Sequence, residues 1–252
     1  MVTLSSLRQK LSDEYRIFKS EISTAEYIFW WAFRIAMFIG TVDVLGQEDT
    51  GHFTLQMVSN TVMLFILPTL HILPRKKCFL ARLSYHNQTA ATAVMMLATY
   101  LGNYHSFYSH IPAFDFVVHF LSGVICVFVG YDLAKALAPK SAENFDAAIS
   151  SIVGFGLSCF AAVFWEIYEF TFDCIANANT QGFELEPETV LVRIFTATQA
   201  QFPLFDVMTD LIGGFLGAVV GGVALRIVLE VKVRKKKQET LSHLFVITNA
   251  HI

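Results

Sequence analysis

Apolar residues run along this chain in long blocks broken by short polar links. Six blocks, 26–45, 53–73, 88–104, 114–138, 147–176 and 206–231, are each roughly 17–30 residues long. A hydrocarbon core about 30 Å thick takes about 20 helical residues at about 1.5 Å each, so each block can cross it. The third block is the least apolar. Ahead of them, Leu4, Leu7, Leu11, Tyr15 and Phe18 recur every three or four residues among Arg8, Lys10, Arg16 and Lys19. That spacing gives a helix one apolar and one basic side, and predicts a segment lying on the membrane surface. The expected fold is all-α: an amphipathic interfacial segment over 1–25, a six-span polytopic bundle over 26–231, and a basic tail over 232–252. No repeat or low-complexity stretch interrupts it.

Composition agrees. Of 252 residues, 54% are hydrophobic and only 15% charged, against about 25% charged in soluble domains. An ordinary soluble domain is excluded, and the expected partner is the lipid bilayer. A net charge of −3 gives no reason to expect nucleic acid. The four cysteines, Cys78, Cys126, Cys159 and Cys174, lack the paired spacing of a zinc site or disulfide framework and read as small buried hydrophobes. The polar start, with no short apolar region before a small-residue cleavage site, does not resemble a signal peptide. Apart from Arg34 and Arg193, the 18 Lys and Arg residues fall in the N-terminal segment, the 74–87 link, the 135–146 region and the C-terminal end from Arg226 onward. By the positive-inside rule both termini are cytoplasmic.

The chemistry lies in a few acids. Glu166, Glu169 and Asp173 follow an i, i+3, i+7 spacing and fall within about 60° of one helix face. A carboxylate at mid-bilayer costs about 2.5–3.5 kcal/mol, so these belong near the membrane edge or in a protein-lined pocket. With the spans alternating in direction, the outer depth also receives Asp115 and His119 from the fourth block and Asp206 and Asp210 from the sixth. Both pairs have i, i+4 spacing and so face one way. The second block's Thr54, Gln56, Ser59, Asn60 and Thr61, and Asn103 and His105 of the third, fall on the same side.

Six acids at close range need protons or a cation to neutralise them. The candidate metal set is Asp115, His119, Glu166, Glu169, Asp173, Asp206 and Asp210, with Glu166, Glu169 and Asp210 as catalytic candidates. Oxygen-rich ligands with one histidine suit Mg²⁺, Mn²⁺, Ca²⁺ or iron. Such a metal would polarise a phosphoryl or carbonyl group and activate water, with a spare carboxylate as base. The pattern therefore points to a metal-dependent enzyme acting at the outer leaflet on a lipid or lipid-linked substrate. An ion- or proton-coupled transporter and a non-catalytic assembly partner are the alternatives; the inner half, with little beyond Asp132 and His71, looks closed. Helix capping or interfacial exposure would equally account for Asp115, Asp173 and Asp206.

Lesser features have two readings each. Arg34 either reaches an acid of the cluster or snorkels to an interface. Ser122, three residues after His119, either pairs with it or packs helices beside Gly123. Gly213, Gly217 and Gly221 form a close-packing stripe. Residues 187–202 would make an interfacial lid.

Four stretches carry a resemblance. Ile111-Pro112-Ala113-Phe114-Asp115 through His119-Phe120-Leu121-Ser122-Gly123, then Trp165-Glu166-Ile167-Tyr168-Glu169-Phe170 with Asp173, then Asn179-Thr180-Gln181, then Asp206-Val207-Met208-Thr209-Asp210-Leu211 stand in that order. Together they resemble the motifs of the YjdF-type bacterial membrane-spanning proteins over residues 95–225. Thr180 stands where that family has Met, and the link from Gln181 to Asp206 is longer. The resemblance implies a helical fold in the bacterial cytoplasmic membrane and a shared site at these residues. It names no reaction.

Overall fold

The computed structural model describes residues 4–47, 51–72, 78–138, 146–176, 180 and 202–249. Outside them lie Asn179, Gln181, residues 187–201 of the lid expected at 187–202, and the topology markers Arg75, Lys76, Lys77, Lys140 and Arg193; the side chains of Leu4, Leu7 and Lys10 are likewise not described. All regular structure among the described residues is helical: α1 (Leu4–Glu21), α2 (Thr24–Leu45), α3 (Gly51–Ile66), α4 (His86–Met95), α5 (Phe107–His110), α6 (Phe114–Leu137), α7 (Ala147–Ala176) and α8 (Phe202–Asn249). Short 3₁₀ turns over Leu67–Ile72 and Phe79–Arg82 link α3 to α4.

Five helical stretches are long and apolar enough to cross a membrane: Thr24–Leu45, Phe53–His71, Phe114–Leu137, Ala147–Ile175 and Leu204–Ser242. The protein is therefore membrane-embedded. The third block is the exception. It is helical throughout, but α4 passes at Met96 into a π-helix ending at Tyr104, closed by His105 N–H donating to Tyr100 O at 3.0 Å. Its polar content keeps it out of the apolar set. At the other end of the chain, α8 has 48 residues and is about 72 Å long at about 1.5 Å per residue. It carries the sixth block through position 231 and into the basic tail without a break.

The local reasons are readable. Ser23 and Glu26 open α2 with a capping box: Ser23 Oγ accepts from Glu26 N–H at 3.2 Å, and Glu26 Oε2 from Ser23 N–H at 3.1 Å. Pro112 holds Ile111 extended (φ −112°, ψ 111°) and so ends α5. Ala113 then takes a left-handed φ of 59° before α6 begins.

Two groups of helices result. In one, α6, α7 and α8 pack on each other along their lengths. The glycines set this spacing: a Cβ on Gly217 would come within 2.0 Å of Phe120 O, and one on Gly123 within 2.3 Å of Gly214 O. Only bare backbone allows that approach. In the other group, α2, α3 and α4 with its π-helical end surround Phe33, Met37, Val44, Met57 and Leu64.

Candidate functional site

The site lies where the start of α6, the end of α7 and the start of α8 meet. His119 and Asp115 face one way on α6, one turn apart. Close packing of α8 brings Asp210 to them, for Gly213 lies so near α6 that a Cβ on it would touch His119 Cβ at 3.3 Å. His119 Nε2 is then 3.4 Å from Asp115 Oδ1 and 3.6 Å from Asp210 Oδ2. One ligand atom from each residue falls within 4.8 Å of the others. Asp210 is 4% exposed, while the Asp115 side chain remains 42% exposed, so the group opens on Asp115's side.

These separations matter chemically. They exceed the roughly 2.7–3.2 Å of an N–H···O hydrogen bond, and among the described residues His119 makes none. They are ion-pair distances for a protonated His119, and they come near the spacing of ligands that share one ion, whose bonds of about 2.0–2.2 Å place neighbouring ligand atoms about 3–3.5 Å apart.

Glu166, Glu169 and Asp206 surround this group. Glu166 is 7% exposed, and its charge interacts with those of His119 and Asp115. Glu169 lies in the field of Glu166, Asp115 and Asp206, and its Oε1 accepts from Trp165 Nε1–H at 2.8 Å. Asp206 lies in the field of Asp115, Glu166 and His119. Six of the seven expected residues thus share one electrostatic neighbourhood. Asp173 is placed differently: its Oδ1 accepts from Thr180 N–H at 2.8 Å and Thr180 Oγ–H at 2.5 Å, tying the end of α7 to the following chain. Ser122 makes no hydrogen bond to His119, whereas Gly123 beside it forms the helix contact.

Arg34 follows neither of its two readings. It is 2% exposed and lies in the α2–α4 group, donating from Nε to Leu64 O and from Nη2 to Gln88 Oε1, both at 3.0 Å. Its guanidinium lies 5.7 and 5.6 Å from the ring centres of Trp30 and Trp31, a cation–π distance. The amides and hydroxyls of the second block also stay in this group. Asn60 donates to Thr99 Oγ1 at 2.7 Å, Asn103 to Gln56 Oε1 at 2.8 Å, and Thr41 and Thr61 pair at 2.7 Å.

Sequence reasoning missed two things. The α2–α4 group is polar at its opposite end too: Thr89 Oγ1 accepts from Trp30 Nε1–H at 2.9 Å and donates to Glu26 Oε1 at 3.1 Å, and His86 Nδ1 is 2.9 Å from the same Glu26 oxygen. It also overlooked Tyr108, whose phenol lies in the field of Asp115, Glu169 and Asp210. The one available signal was Gly102, six residues earlier.

Comparison with known proteins bears on this arrangement. The model of a family described as a predicted membrane protein family (DUF2238) matches residues 19–230. The chain belongs to that family. The match covers all six site residues and agrees with the resemblance to YjdF-type proteins. No curated protein and no solved structure matches the chain.

Proposed function

We propose that this family member is a divalent-metal-dependent enzyme working at the outer surface of a bacterial cytoplasmic membrane, on a lipid or lipid-linked phosphate. The observation that supports it is His119 Nε2 standing between carboxylate oxygens of two helices at 3.4 and 3.6 Å, with one ligand atom of each residue within 4.8 Å of the others. Asp115, His119 and Asp210 would hold the ion; a metal there supplies a Lewis acid and a water of lowered pKa. Glu166 and Glu169, whose charges act on the same group, would serve as proton acceptors, and Trp165 orients Glu169 through its indole N–H. Mg²⁺ or Mn²⁺ suits this oxygen-rich set, with Ca²⁺ or iron as the other options.

The reading includes a topology. The third block crosses as the sixth span in spite of its polar content, because its amides and hydroxyls are paired with α2 and α3 rather than offered to lipid. Both termini are then cytoplasmic and the acids lie at the outer edge. Along α1, the exposed Leu11 and Tyr15 would rest on the inner surface, while Phe18 packs inward against Tyr27, Trp30 and Tyr85.

Purified protein is expected to bind about one Mn²⁺ per chain, read by electron paramagnetic resonance. Wild-type protein without bound metal would overturn this reading.

A second reading, an ion- or proton-coupled transporter, has one observation in its favour. Paired polar side chains run the length of the α2–α4 group, from Glu26 and His86 through Arg34 and Gln88 to Gln56 and Asn103. A buried arginine midway repels cations, and this places the transporter second. Flux into proteoliposomes that disappears in Glu169→Gln would reverse the order.

A further inference from the structure

The site is rich in acceptors and short of donors. With a metal bound and its carboxylates ionised, as the enzyme reading has it, Asp115, Glu166, Glu169, Asp206 and Asp210 can only accept hydrogen bonds, and the Trp165 N–H already serves Glu169. A ligand bearing anionic oxygens would be repelled by this set unless a metal and at least one further donor received it. Tyr108 brings such a donor. Its hydroxyl makes no hydrogen bond among the described residues, yet the phenol lies close enough to Asp115, Glu169 and Asp210 to feel all three charges.

Its placement is built. Tyr108 is carried on α5, a single turn held between two left-handed non-glycine residues, Ser106 (φ 57°) and Ala113 (φ 59°). Left-handed non-glycine residues are strained and cluster at functional sites. The ring packs edge-on against Phe114, the neighbour of Asp115, with centroids 5.5 Å apart. On its other side it lies against Gly102 of the π-helix. A Cβ there would come within 2.3 Å of Tyr108 Cε2 and 2.6 Å of Cζ, so the hydroxyl end of the ring fills the space a side chain would take. Burial, and then the three acids, raise the pKa of this phenol, which keeps its proton at physiological pH.

We propose that Tyr108 donates the hydrogen bond that holds an anionic phosphoryl oxygen at the carboxylate–histidine site, and that Gly102 is the residue that lets its ring reach there. The inference rests on the enzyme reading above and adds to it a ligand-positioning residue from outside the three acid-bearing helices.

The test compares wild type with Tyr108→Phe, which keeps the ring against Gly102 and Phe114 and removes only the hydroxyl. Binding of inorganic phosphate and of dihexanoylphosphatidic acid is measured by equilibrium dialysis, with and without Mn²⁺, beside Mn²⁺ affinity and melting temperature. Tyr108→Phe is expected to bind the phosphate probe about tenfold to a hundredfold more weakly, the range for a hydrogen bond to a charged group. Its Mn²⁺ affinity should stay within about twofold of wild type. Gly102→Ala, which pushes the ring aside, should reproduce the loss with the hydroxyl still present. Unchanged phosphate affinity in Tyr108→Phe, whether or not its melting temperature falls, overturns the proposal and leaves Tyr108 as packing; so does a wild type that binds neither probe under either condition. Should wild type bind phosphate but no Mn²⁺, with Tyr108→Phe losing the phosphate, the donor assignment stands and the metal reading falls. The probe bound more tightly by wild type tells a lipid headgroup from a free anion.

Discussion

At the scale of single residues, the same side-chain type meets different fates according to its partner. Asp210 and Asp173 are both acids near helix ends, yet Asp210 is buried against His119 while Asp173 accepts from Thr180. Asp210→Asn and His119→Ala are therefore expected to weaken Mn²⁺ binding by about tenfold or more, read by electron paramagnetic resonance, while Asp173→Asn keeps it. Equal losses in all three would return Asp173 to the ligand set. Arg34 offers the reverse lesson. Its charge marked it as a candidate in the sequence, but which groups it meets was not legible, because a long side chain on one helix has several within reach. Arg34→Met leaves Leu64 O and the Gln88 amide oxygen without their donor, at about 1–3 kcal/mol each. The variant should melt at a lower temperature and bind Mn²⁺ as wild type does, since its partners all belong to the other helix group.

At the scale of elements, the glycine stripe of α8 was legible as a packing face and its partner was not. Gly217 meets the backbone of α6 at Phe120, one residue past His119, so helix spacing and site geometry are one problem. Gly217→Ala should cost about 1–3 kcal/mol by overpacking and also weaken Mn²⁺ binding, by moving Asp210 away from His119. Gly156 makes the control: a Cβ there meets nothing within 4 Å. Gly156→Ala should be neutral or stabilising by about 0.5–1 kcal/mol, as alanine outranks glycine within a helix. Thermal unfolding of the two variants side by side checks both. The third block was expected to be a span, and it stays outside the five apolar stretches. Its weak apolar signal has a physical source, for Gln88, Thr89, Thr99 and Asn103 have partners on α2 and α3, and a hydropathy count cannot see a satisfied hydrogen bond.

At the scale of the whole molecule, the polar side chains divide between two helix groups. The α6–α8 group holds the carboxylates and histidine; the α2–α4 group holds a buried cation and its paired amides, and supplies Gly102 against Tyr108. The orientation proposed from charge bias can be tested with the native cysteines. Cys174, exposed near the end of α7, and Cys78, in the link before α4, should lie on opposite sides. In sealed right-side-out vesicles a membrane-impermeant maleimide should label Cys174 and reach Cys78 only after lysis. The opposite pattern would invert the topology and move the site to the cytoplasmic face.

What the sequence alone determined were those properties that each segment carries by itself. Block length and apolar content set the membrane class, because the cost of inserting a polar group is paid locally. Helical period set which acids share a face of one helix. The tertiary structure alone decided how those faces are turned toward one another. That rotation is set by backbone contacts at Gly123, Gly213 and Gly217, which bring Asp115, His119 and Asp210 together. It leaves Arg34 and the second-block amides among α2–α4, and sends Asp173 to Thr180. Period along one helix carries no information about the angle at which its neighbour is docked.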